Sequence, residues 1–188
     1  MGLIYKVEDA ALLKTRNEIF KEAGIPALLA NGFMANPYQT SLNGELNRNN
    51  RGYNYQFSRL SQEKYLERIE VLINNYDKSI QIFVNVFDVK SNLDAFPALS
   101  DLAGADFSQL AFRLTRMRLR DNYIGPSLFN KLFFPAHELG AFYTERGFNK
   151  KAEKLKKLIK SDIENLDGFI EKWKRLFSPM EIELKREF

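Results

Sequence analysis

The sequence predicts a single α+β domain over residues 1–188. A small mixed or antiparallel sheet has its central strand near Ile80–Val89, helices cover it, and the C-terminal third is helical. Three observations predict this. Ile80–Val89 (IQIFVNVFDV) is the most apolar and β-like run in the chain. Tyr53–Leu60 alternates aromatic and polar side chains with a period of two. From Asn149 to Phe177 large apolar residues recur every three or four positions. Residues 1–125 are expected to hold the sheet and 126–188 to pack on it as helices.

Glu8–Ala23 reads as an amphipathic helix. Leu12, Leu13, Ile19, Phe20 and Ala23 follow the helical period, Arg16 is the one polar residue on that face, Gly24 suggests a C-terminal cap and Pro26 a break. Ala27–Ala30 suggests a short second turn. Asn36–Gly52 is dominated by turn residues and reads as a long loop or as a weak hairpin around Asn43-Gly44.

Tyr53–Leu60 reads as a half-buried strand with Tyr53, Tyr55 and Phe57 on one face. Tyr65, Leu66, Ile69, Leu72, Ile73 and Tyr76 fall at helical spacing, so Gln62–Tyr76 is expected to be a helix, with a strand over Ile69–Ile73 as the competing reading. On the central strand, Ile80, Ile82, Val84 and Val86 line one face and Phe83, Asn85, Phe87 and Val89 the other. A strand apolar on both faces needs cover on both, which the N-terminal and C-terminal helices are expected to supply. Asn85 is expected to be a buried amide in need of hydrogen-bond partners.

Asn92–Gly104 reads as a loop. Phe107–Arg120 fits either a helix or a strand, and the need of the central strand for neighbours favours strand. Ser127–Phe134 and Ala136–Arg146 read as short helices and Asn149–Phe177 as one long helix, with Gly168 a candidate kink. The alternating tail Met180–Leu184 suits an edge strand.

The chain has no cysteine and one histidine, His137, which excludes disulfides, thiolate chemistry and histidine-rich metal centres. There is no nucleophile elbow, phosphate-binding loop, dinucleotide glycine pattern or cation-binding loop. Asp88, Asp94, Asp101 and Asp106 match no metal-ligand spacing. No catalytic residue, cofactor or metal site is therefore expected. The N-terminus lacks a leader-like apolar core, and no run reaches the roughly 18 residues of a membrane span. The expectation is a soluble cytoplasmic protein with no membrane association.

Formal net charge is +4 and unevenly placed: Arg113–Lys160 holds twelve Lys/Arg against four Asp/Glu, a net +8, leaving −4 elsewhere. Arg113, Arg116, Arg118 and Arg120 crowd into eight residues, with Lys150, Lys151, Lys154, Lys156, Lys157 and Lys160 further on. As a strand, Arg116, Arg118 and Arg120 share a face, and as a helix Arg113, Arg116 and Arg120 do; either way several guanidinium groups point together, a geometry suited to phosphate or carboxylate. Tyr53 and Tyr55, if exposed, would add stacking surfaces for single-stranded nucleic acid. Arg113, Arg116, Arg118, Arg120, Lys150 and Lys151 are thus candidate anion or nucleic-acid contacts.

Leu139-Gly140, Tyr143, Gly147 and Ala152 stand at the spacing of a tetratricopeptide repeat, in which small residues let two antiparallel helices approach. The stretch Phe133–Leu166 resembles one such helix pair. Ala136 stands at the usual tryptophan position, Lys156 at a large apolar one, and no second copy follows. The resemblance implies protein binding, with Tyr143 and Lys150 as candidate contacts. A generic helical hairpin covering the sheet is the competing reading.

The leading expectation is a non-enzymatic protein-interaction module with another protein as partner. Nucleic-acid or polyanion binding through the basic cluster is the alternative, and an enzyme using the loop carboxylates a further one.

Overall fold

The computed structural model describes residues 5, 7–35, 43–47, 51–61, 65–90, 98–99, 115–120, 135–140 and 144–183. The chain is α+β, as the sequence predicts: a seven-stranded, mostly antiparallel sheet carries helices, two of them C-terminal. In chain order the elements are α1 (Asp9–Ile19), a π-helical turn (Phe20–Gly24), α2 (Ile25–Ala30), β1 (Met34–Ala35), β2 (Leu46–Asn47), β3 (Gly52–Leu60), β4 (Tyr65–Asn74), β5 (Gln81–Lys90), β6 (Met117–Arg118), α3 (Glu145–Glu164), α4 (Leu166–Leu176) and β7 (Met180–Glu183).

The N-terminal helix does not stop at Gly24. It runs on through the π turn into α2, with the Ile25 N–H bonded to the Phe20 carbonyl five residues back. Pro26 has no N–H to give and would crowd the carbonyl four residues before it, so the wider turn lets the helix pass it. Gly24 serves packing rather than capping: a Cβ there would lie 2.3 Å from the Phe20 ring. Arg16 is 2% exposed. Its guanidinium donates to the carbonyls of Asn74 (3.0 Å) and Asp77, satisfying the turn between β4 and β5.

Within the expected helix Gln62–Tyr76, residues 65–76 are not helical. β4 spans Tyr65–Asn74 and pairs antiparallel with β3 and β5 along its length. Ile69, Val71 and Ile73 are β-branched at a period of two, and that preference prevails over the 3.6-residue pattern. Tyr76, the last residue of the supposed helical stripe, is 76% exposed in the following turn. Of the turn-rich stretch Asn36–Gly52, only 43–47 and 51–52 are among the described residues. Gly44 sits beneath the Tyr55 ring at φ +79°, and β2 pairs with β3 at Leu46↔Tyr53.

β5 has neighbours on both edges: β4 on one, and on the other β6 at Phe83–Val84 and β7, in parallel, at Phe87–Lys90. β6 bears out the strand reading for residues 117–118, while residues 107–114 lie outside the described residues. The short helix expected over Ser127–Phe134 lies outside them too, as does all but 98–99 of the loop Asn92–Gly104. β7 is the tail strand expected from its alternation.

One face of the sheet carries Tyr55, Phe57, Ile69, Val71, Ile73, Ile82, Val84 and Val86. The N-terminal and C-terminal helices both pack here, in a single core with Phe20, Leu28, Leu155, Ile159, Ile163, Ile170 and Trp173. The sequence expects these helices between them to supply the cover for both faces, but both amphipathic stripes bury against the same one. On the other face Leu66, Phe87, Val89, Leu99 and Ile182 form a smaller cluster.

The C-terminal helix starts earlier than Asn149 and is broken. Thr144 caps α3, its hydroxyl accepting the Gly147 N–H at 3.0 Å. The break falls at Asn165, whose side chain donates to the Ser161 carbonyl at 2.7 Å, offering the backbone an alternative to helical bonding. Gly168 lies inside α4 with no kinking role.

Candidate binding surface

The expected basic cluster is divided by the sheet. Arg116 and Arg118 stand on the face away from the helices. Arg116 lies 3.8 Å from the Phe83 ring centroid and 3.0 Å from Glu70 Oε2; Arg118 donates to Ser79 Oγ at 2.9 Å. Asp77 closes this group. Burial pushes its carboxyl pKa up, but hydrogen bonds from Ser79 and Gln81 and the charge of Arg118 outweigh that and hold it below the usual value. Arg113 lies outside the described residues.

Arg120 does not join Arg116 and Arg118. Its backbone turns at φ +52°, and its guanidinium grips Asp162 of α3 through both carboxylate oxygens, Nη2 to Oδ1 at 2.7 Å. His137 Nε2 meets Asp162 Oδ2 at 2.8 Å. Burial raises the Asp162 pKa, while the bonds from His137 and Arg120 more than reverse the shift, so the carboxyl sits low. His137 is 3% exposed, and its Nδ1 has no partner among the described residues. Of the helix expected over Ala136–Arg146, only Glu145 and Arg146 are helical among the described residues, as the start of α3. Residues 136–140 are not helical, Glu138 bridges to Ser79, and the Ile80 N–H bonds to the His137 carbonyl at 2.8 Å. The repeat-like helical hairpin therefore does not form there, and Gly147 lies in the first turn of α3 rather than between two helices. Tyr143 lies outside the described residues.

Other buried charges also tie elements together. Arg59 bonds to Glu67 Oε2 at 2.6 Å, to Asp167 of α4 and to the Asn31 carbonyl at 2.9 Å. Asn85 is buried: Oδ1 accepts from the Val86 N–H (3.0 Å) and from Thr115 Oγ1 (3.2 Å). Tyr55 is 3% exposed and donates to Asn17 Oδ1 at 2.6 Å, so it offers no stacking surface. Of the loop carboxylates only Asp88 is described, on β5. No group of three or more metal-ligating side chains occurs among the described residues, and none of their helices is long and apolar enough to cross a membrane.

The outer side of α3 is open to solvent. Phe148, Leu155, Ile159 and Ile163 face the core. On the opposite side Arg146, Lys150, Lys154, Lys157 and Lys160 recur every three or four residues, all exposed, accompanied by exposed Glu153 and Glu164. Five cations against two carboxylates leave a net +3 on this side. Lys151, half-buried, lies to one flank.

Beside it runs a groove of about 530 Å³ between α3 and the π turn with α2. Ala23, Pro26, Ala27 and Ala30 supply the apolar lining, and Lys156, Lys157, Lys160, Glu22, Glu153 and Glu164 the charged rim. Lys156 pairs with Glu22 at 2.5 Å and Lys160 with Glu164 at 3.7 Å. The sequence signal for this groove is the run of small residues after Phe20, which reads instead as a helix end. No protein-family model, curated protein or solved structure matches the chain.

Proposed function

We propose that this protein is a non-enzymatic binding module whose contact surface is the outer face of α3, and that its partner is an acidic protein. The observation that carries the reading is the row Arg146, Lys150, Lys154, Lys157 and Lys160, all solvent-facing and opposite the residues that anchor the helix. Such a row steers a negatively charged partner and sets its register. Lys150, singled out in the sequence, lies within it.

The nucleic-acid alternative is weaker on two grounds. Glu153 and Glu164 interrupt the row and would repel a uniform phosphate backbone, whereas a protein can match mixed charges. Tyr55, which would have stacked on bases, is committed to the core. An enzymatic reading has little to draw on among the described carboxylates, since Asp77, Asp162, Glu67 and Glu70 are each held by neighbouring donors or cations.

Poly-glutamate serves as the probe. The wild-type protein should bind it, and the triple change Lys150→Glu, Lys154→Glu, Lys157→Glu should abolish binding with the fold intact. Binding that survives the triple change would refute the reading. Tighter binding to an oligothymidylate of matched charge would transfer it to nucleic acid.

A further inference from the structure

We infer that Glu153 sets the specificity of the α3 surface, and that the acidic partner presents one lysine or arginine among its carboxylates to meet it. This rests on the reading of α3 as the contact surface and names the residue there that selects among acidic proteins.

Glu153 stands inside the basic row. Lys150 lies three residues before it and Lys157 four residues after it, so both are its neighbours on the same side of the helix. All three are exposed. The other carboxylate on this side, Glu164, already pairs with Lys160 at 3.7 Å. Lys156, three residues on from Glu153, is taken by Glu22 at 2.5 Å. Glu153 itself belongs to no ion pair among the described residues. From its N-terminal end the row therefore reads Arg146, Lys150, an unmatched carboxylate at Glu153, then Lys154, Lys157 and Lys160.

A partner laid along the row covers Glu153 together with the lysines. A carboxylate set against Glu153 makes a like-charge contact, and such contacts are how interfaces reject wrong partners. A cation set there completes a pair instead. Because Glu153 is unmatched before binding, that pair breaks none within the protein, whereas reaching Glu164 means competing with Lys160. An unbroken run of carboxylates is thus drawn to the row by its net charge but fits it less well than a run broken by one lysine. The break falls between the contacts to Lys150 and Lys157, which lie about 10 Å apart along the helix at about 1.5 Å per residue.

The test uses two peptides of equal length and equal net charge, so that general attraction to the row is the same for both. One contains only glutamate and glutamine. The other carries one central lysine flanked by glutamates, with one further glutamate in place of a glutamine to keep the charge equal. At low salt the wild type should prefer the lysine-bearing peptide by about two- to fivefold, the range of an exposed charge pair. Glu153→Gln should remove the preference and Glu153→Lys should reverse it; both changes are at an exposed position. Glu164→Gln, at the carboxylate that Lys160 already meets, should keep it. A wild type that binds both peptides equally, a preference that survives Glu153→Gln, or one lost equally in Glu164→Gln would overturn the role of Glu153 while leaving the lysine row standing. If the wild type binds neither peptide nor poly-glutamate, both readings fail.

Discussion

His137 Nε2 lies 2.8 Å from Asp162 Oδ2, and Arg120 holds both oxygens of the same carboxylate. Three segments, 135–140, the turn just after β6 and the last turn of α3, meet at one buried anion. The helix that bears the lysine row is thereby fixed to the sheet.

Changing Asp162 to Asn leaves the Arg120 guanidinium without its counter-charge and alters the partner of the buried His137 ring. Breaking a buried ion pair costs about 3–5 kcal/mol, and because Arg120 partly reaches solvent the expected loss is at the low end, about 3 kcal/mol. Urea denaturation measures it. The folded-state pKa of Asp162 lies below its unfolded value of about 3.9. Its contribution is therefore present above pH ~4 and disappears as pH falls through the lower folded-state value. Between pH ~4 and that value the Asn variant should lose stability less steeply than the wild type.

Tyr55 gives the opposite pH signature. Burial pushes its pKa up to about 12, against the hydrogen bond to Asn17. The stability it adds is complete below pH ~10 and is lost as pH rises from there toward 12. Tyr55→Phe should remove that alkaline decline and, by stranding Asn17 Oδ1, cost about 1–2 kcal/mol at neutral pH. Thermal unfolding scanned from pH 7 to 12 reads both effects.

Gly24→Ala tests the π turn. The new methyl would stand 2.3 Å from the Phe20 ring, which is fully buried and cannot swing away. Overpacking of this kind costs about 1–3 kcal/mol, although alanine is otherwise the better helix former. A variant as stable as the wild type, measured by its denaturation midpoint, would show that Phe20 has room to move.

Trp173 is the sole tryptophan, fully buried, with its indole N–H on the Thr115 carbonyl at 2.5 Å. Its emission should be blue-shifted in the native protein and move to the red in the same transition that far-ultraviolet circular dichroism reports. Separate transitions would mean that α4 leaves the sheet before the rest unfolds.

Much of the core is legible in the sequence because it depends on periodicity. All six residues assigned to the inner face of the N-terminal helix, Arg16 included, are buried, and the central strand lies where its apolar run predicts. β4 is misread because Leu66, Ile69, Leu72 and Ile73 satisfy a helical spacing while the β-branched residues among them satisfy the strand period, and pairing with β3 and β5 decides the outcome. The basic cluster is misread for a different reason. Proximity in sequence does not reveal that Arg120 turns out of line toward a carboxylate 42 residues away. Nor does it reveal that the sheet separates Arg116 and Arg118 from α3. The groove is hidden because proline and glycine normally signal a helix end, and nothing local shows that a π turn will carry the helix through.

The most direct measurement is the salt dependence of poly-glutamate binding, by fluorescence anisotropy, for the wild type and the Lys150, Lys154 and Lys157 triple glutamate variant. If the row on α3 is the contact surface, wild-type affinity falls steeply between about 50 and 200 mM salt, as screening predicts, and the variant shows no binding at either concentration. Wild-type affinity that is indifferent to salt, or a variant that binds as the wild type does, would contradict the account.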